Sequence, residues 1–153
     1  MKKQQSGFTM IELIMVIVIL GILAAFALPR FADFGKDARV ASINGALGAV
    51  KSAAAIAHAK QLANGTTPGT AVTLEGATIN MVNGYPQATE DTAGATTGGI
   101  MVAAQLSDEY EGKAANGVLT IRLKDKASCS FTYQPPATAD AAPDFGTVDP
   151  SGC

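Results

Sequence analysis

Glu12 is the single charged residue between Phe8 and Leu28. An ionised carboxylate in an apolar medium is costly unless a cation or hydrogen-bond donors meet it, so an acid of this kind asks for a positive partner. Two cysteines, Cys129 and Cys153, are the other reactive groups. In an exported chain an even cysteine count reads as a disulfide, and closing this loop contributes roughly 3.5 kcal/mol in the chain-entropy model. Two isolated thiols make a poor metal site. His58 is the only histidine and falls in a helical stretch, where a solvated or half-buried polar position accounts for it. Asp108, Glu109 and Glu111 flank Tyr110 and read as solvated acids at a helix end. Asp140, Asp144 and Asp149 carry oxygens that suit calcium, but their spacing fits no tight ligand loop. Asn64-Gly65-Thr66 is a glycosylation triplet, and a helix stop explains it equally well. No catalytic constellation assembles, and no metal or cofactor site is assigned.

The element that must position Glu12 is a long apolar helix. The run from Phe8 to Leu28 spans about 30 Å at ~1.5 Å per residue, the thickness of a bilayer's hydrocarbon core. Lys2 and Lys3 precede it without an acid, which places the start of the chain on the cytoplasmic side and sends the rest across. Pro29 has no N–H to bond the carbonyl of Ala25, and Gly21 adds a second soft point, so a kink or weak turn is expected there. Beyond it, Val40, Ile43, Leu47, Val50, Ala54 and Ala57 recur at steps of three and four, with Lys36, Asp37, Arg39, Asn44, Lys51 and Ser52 between. That spacing predicts an amphipathic helix to about Leu62, stopped by Asn64-Gly65.

The remainder reads as a small β-rich head. Ala71–Leu74 and Ala77–Val82, joined at Glu75-Gly76, predict a short hairpin or two extended pieces; Gly84-Tyr85-Pro86 predicts a turn. Asp91 to Gly99 reads as loop and Ile100 to Glu109 as a short helix. Val118–Lys124 and Ser128–Tyr133 alternate apolar and polar residues, predicting an antiparallel hairpin whose apolar face covers the helix stripe. After Pro135-Pro136 the chain reads as a loose loop tethered by the disulfide. The formal charge of -2 and the scattered basic residues, Lys113, Arg122, Lys124 and Lys126 being nearest to a cluster, argue against a general polyanion binder.

Lys2-Lys3-Gln4-Gln5-Ser6-Gly7 followed by Phe8-Thr9-Met10-Ile11-Glu12-Leu13 resembles the processing and assembly signature of type IV pilins and their relatives. The resemblance implies an α+β fold: a long N-terminal helix packed on a C-terminal antiparallel sheet with a disulfide-closed loop. It also implies cleavage between Gly7 and Phe8 by a prepilin peptidase, N-methylation of Phe8, and a helix that first anchors the subunit and then packs in a filament core. Once cleavage exposes it, the Phe8 amine of one chain, level with Glu12 of a neighbour, would act as a register device, since opposite charges stabilise each other in an apolar medium; Glu12 pairing with its own amine or reaching the headgroups stays open. Gly21 and Pro29 match positions between which the family's helix can unwind on assembly; the residues themselves leave a static kink open.

On this reading 1–7 is a leader, 8–29 the transmembrane and filament-core half of the helix, 30–63 its amphipathic half and 64–153 the head. The implied partners are other copies of the chain, the peptidase and methyltransferase, the assembly platform with its motor ATPases, the inner membrane before assembly and a host or abiotic surface afterwards. The implied location is the inner membrane, with a periplasmic head, and then the extracellular pilus. DNA is a weak alternative partner, since some relatives take part in DNA uptake. Gly84-Tyr85-Pro86, Cys129-Ser130-Phe131-Thr132-Tyr133 and Gly152-Cys153 are similar to pilins of the mannose-sensitive haemagglutinin type, which implies attachment and biofilm formation. Pseudopilins of type II secretion carry the same N-terminal signature and often use calcium where pilins use a disulfide; they are the rival class.

Overall fold

The computed structural model describes residues 8–92, 94–139 and 141–153, and for 28–33 the backbone alone. Lys2, Lys3, Gly7 and Asp140, like the ring of Pro29, lie outside the described residues. The chain divides into two compact units, one ending at Ala38 and the other running from Arg39 to Cys153.

The first element is α1, Met10–Asn64, 55 residues long. Its backbone is helical across Gly21 and Pro29. It ends where Gly65 takes a left-handed φ of +63° and bonds its N–H to the Leu62 carbonyl at 3.1 Å, a stop that an Asn-Gly pair accommodates readily. Within the second unit the predicted stripe is the buried one: Ile43, Val50, Ala54 and Ala57 are buried, with Val40 and Leu47 packed beside them. Ala46 and Ala53 are buried too, because alanines at the stripe's edge let the facing strands approach closely.

A four-stranded antiparallel sheet covers this stripe, in the order β6 (Tyr110–Ala115), β7 (Val118–Leu123), β8 (Ser130–Gln134), β9 (Asp144–Phe145). Leu119, Ile121 and Leu123 of β7 and Phe131 and Tyr133 of β8 point into the same core as Ile43 and Val50. The pairing Leu119↔Tyr133 through Arg122↔Ser130 is the predicted hairpin. Burial of these side chains supplies most of the head's driving force, at about 25 cal/mol per Å² of apolar surface. The Cys129–Cys153 disulfide is present, with its Cα atoms 4.7 Å apart.

Among the described residues, five short strands and one helical turn fill the connecting region. β1 (Val72–Leu74) and β2 (Ala77–Ile79) form the expected hairpin around Glu75-Gly76. β3 (Met81–Val82) pairs with β4 (Tyr85–Pro86), and β5 (Thr97–Gly98) lies parallel to β2. α2 is only Ile100–Ala103.

Several expectations are corrected here. The second strand does not run on to Val82; it stops at Ile79, and the chain starts a separate hairpin. Its turn is Asn83-Gly84, with φ of +48° and +89°, so Tyr85-Pro86 is strand rather than turn. Asn-Gly is the pair that accommodates two successive left-handed residues. The helix predicted to Glu109 ends at Ala103, because Gln105 turns left-handed at φ +50° while Gln105 and Leu106 bond back to Val102 and Met101, a Schellman-type stop. Glu111 is not at a helix end but in β6, opposite Arg122. The segment after Pro136 is not a loose loop: β9 pairs with β8, and Asp149 bridges to Ser130.

Candidate assembly site

The N-terminal unit presents one polar constellation in an apolar helix. Thr9 precedes the first helical residue, and its backbone N–H and hydroxyl both donate to Glu12 Oε2, at 2.9 and 2.7 Å. In return the Glu12 N–H approaches Thr9 Oγ1 at 3.3 Å, and the Leu13 N–H bonds the Thr9 carbonyl at 3.2 Å. This is a reciprocal capping box, in which the acid satisfies donors that the first helical turn leaves open and also sits at the positive end of the helix dipole. Sequence reasoning missed Thr9. The signal was there as Thr9-Met10-Ile11-Glu12, a Thr followed three residues later by Glu just before an apolar run.

Around and beyond this cap the helix is apolar on every side. From Met10 to Ala27 its residues meet the length and composition for a membrane span, and none of that stretch is buried within the chain. Phe8, Met10 and Phe26 are 89%, 79% and 76% exposed. A helix that is hydrophobic all round is covered by lipid or by protein in its working state.

His58, Glu111 and Asp149 are held by contacts within the head. His58 is half-buried: its Nδ1 lies 2.8 Å from the Gly84 carbonyl, and its ring stacks on Tyr85 with centroids 4.3 Å apart. A carbonyl only accepts, so Nδ1 carries the proton. Glu111 forms a 2.8 Å ion pair with Arg122. Asp149 Oδ1 accepts the Ser151 N–H at 2.9 Å, and the Ser151 bonds hold its carboxyl below the usual range. Among the described residues, no three His, Cys, Asp or Glu side chains gather closely enough to hold a metal ion. Tyr133 is the most consequential polar group of the core. Its hydroxyl donates to the Pro86 carbonyl at 2.7 Å, and burial, with a smaller contribution from Tyr85, pushes its pKa well above 10.

Residues 2–28 match the family model for the prokaryotic N-terminal methylation motif. The chain is 32% identical over 145 residues to the fimbrial protein EcpC of Eikenella corrodens, covering 92% of this chain and 88% of that one. It belongs to the type IV pilin family. Over a shorter stretch the pilin is 55% identical to the type IV narrow pilus major component PilA5 of Thermus thermophilus, across 52 residues that cover 34% of this chain and 45% of the relative. It is also 41% identical over 86 residues to the type II secretion system core protein G of Pseudomonas aeruginosa, covering 56% and 58%. No solved structure matches it. The pilin's fold is accordingly α+β, and its family is structural rather than enzymatic.

Proposed function

We propose that this pilin is cut between Gly7 and Phe8, methylated on Phe8, and polymerised through α1 into a surface pilus that attaches cells to host or abiotic surfaces and supports biofilm formation. The observation that carries the reading is the Met10–Ala27 stretch of α1, apolar all round and uncovered by the rest of the chain, with Glu12 held against Thr9 at its start. Such a surface suits two successive environments, lipid before assembly and other copies of the helix after it.

Lys2 and Lys3 support insertion with the leader inside and the head in the periplasm. On this proposal the mature Phe8 amine is the cation that Glu12 of a neighbour pairs with, and Thr9 keeps the acid satisfied until that neighbour arrives. Mass spectrometry of the mature N-terminus, together with electron microscopy of cells lacking and regaining the gene, tests it. A methylated Phe8 and long pili that depend on the gene are expected; an intact leader would overturn it.

A second reading, a type II secretion pseudopilin, draws on the likeness to core protein G. The disulfide at Cys129–Cys153 favours the pilus. A filament confined to the periplasm, with secretion lost on deletion, would favour the pseudopilin.

A further inference from the structure

Arg39, half-buried on α1, donates through Nε to the main-chain oxygen of Cys153, 114 residues away in the chain. The segment ending at Cys153 is also held by bonds that do not involve sulfur. Asp149 and Ser130 exchange backbone bonds at 2.7 and 3.2 Å, and the Gly152 N–H bonds the Ser128 carbonyl at 2.9 Å. Gly152 lies so close to Ser128 that an added Cβ would meet it at 2.7 Å. These contacts bring Cys153 to Cys129 from two sides, the sheet edge and the helix.

The two sulfurs differ in surroundings. Cys129 is fully buried in the core with Ile121 and Phe131. Cys153 belongs to the same core at 7% exposed, but it follows exposed Ser151 and half-buried Gly152, so it lies nearer the surface than Cys129.

We propose that Arg39 is a positioning residue that presents Cys153 to Cys129, so that the disulfide closes on a tail already folded and Cys153 is the thiol that meets the oxidant. The oxidant is a small or protein disulfide, for which oxidised glutathione serves as probe. The Cys153 thiolate attacks one glutathione sulfur, forming a mixed disulfide and releasing one glutathione thiolate. The Cys129 thiolate then attacks Cys153 Sγ, closing the protein disulfide and releasing the second. Both thiol protons pass to solvent, and the oxidant takes both electrons. The inference concerns maturation of the head and does not rest on pilus assembly.

The test uses the reduced full-length protein in detergent micelles, equilibrated with defined ratios of oxidised and reduced glutathione and quenched by alkylation. In Arg39→Gln the equilibrium constant for disulfide formation falls about tenfold, the scale of a lost charge-assisted hydrogen bond, and Arg39→Lys recovers part of it. An unchanged constant in Arg39→Gln, or Arg39→Lys no better than Arg39→Gln, would overturn the positioning role. On the unmodified chain, acid quenching at early times traps glutathione on Cys153. Glutathione on Cys129 instead would overturn the order of reaction, whatever the variants do.

Discussion

Replacing Tyr133 by Phe removes one oxygen atom from the centre of the head and nothing else. The Tyr133 hydroxyl donates to Pro86 O at 2.7 Å, and both residues are fully buried. In the variant the Pro86 carbonyl keeps its place and loses its donor, which costs about 1–3 kcal/mol for a buried acceptor left unpaired. Taking about 2 kcal/mol and an unfolding entropy of about 2.1 cal/mol/K per residue over the unit from Arg39 to Cys153, Tm falls by about 8 °C.

A pH arm separates this from a packing effect. Burial raises the Tyr133 pKa above its ordinary value of 10.0, so the folded chain keeps a proton that the unfolded chain gives up above that pH. The stability linked to it is fully present below about pH 10 and is lost at up to about 1.4 kcal/mol per pH unit as pH rises beyond, through the folded pKa. Thermal unfolding of full-length protein in micelles, disulfide intact, followed by circular dichroism from pH 7 to 11, reads both. Tyr133→Phe is expected to melt lower at pH 7 and to decline less steeply above pH 10. A shift under about 2 °C at pH 7 together with parallel slopes would refute the reasoning.

Other outcomes follow from the same structure. Cys129→Ser combined with Cys153→Ser is expected to lower the head's unfolding free energy by roughly 3.5 kcal/mol, measured by urea denaturation. Glu12→Leu is expected to leave processing and membrane insertion intact while abolishing filaments, measured by immunoblot and electron microscopy; normal pili would remove Glu12 from the assembly argument. Thr9→Val, which keeps the shape and loses the hydroxyl, is expected to impair assembly more than Thr9→Ser, with piliation counted per cell. Asn116 sits at φ +52° and Gly117 at φ +81° in the turn between β6 and β7. Asn116→Val is therefore expected to cost about 1–2 kcal/mol, while Asn116→Gly stays near neutral in the same melting assay.

Long periodic features were legible in the sequence because one period ran through many residues. The stripe from Val40 to Ala57 and the alternation of β7 and β8 each repeat often enough to announce the buried face. The short strands were not legible. β3, β4, β5 and β9 have two residues each, too few for any period, and β5 is defined by a partner distant in the chain. β6 reads Tyr-Glu-Gly-Lys-Ala-Ala and lacks apolar alternation. A Cβ at Gly112 would meet Met101 Sδ at 2.4 Å, a contact with α2 that the strand's own sequence does not announce. At the N-terminus the positions of Phe8 and Glu12 are legible as a motif, whereas the bonds from Thr9 to Glu12 show only in the Thr-x-x-Glu spacing, because a charge pattern marks the acid and not its neutral donors.

The order β6-β7-β8-β9 means that every neighbour in the main sheet is also the next strand along the chain. Each pairing closes a short loop, so the search for partners is local and fast by the standards of β-structure. A head that emerges N-terminus first can add strands as they arrive, each on the edge just made. Its exposed edge is thereby covered early, before another unpaired strand can offer it the wrong partner.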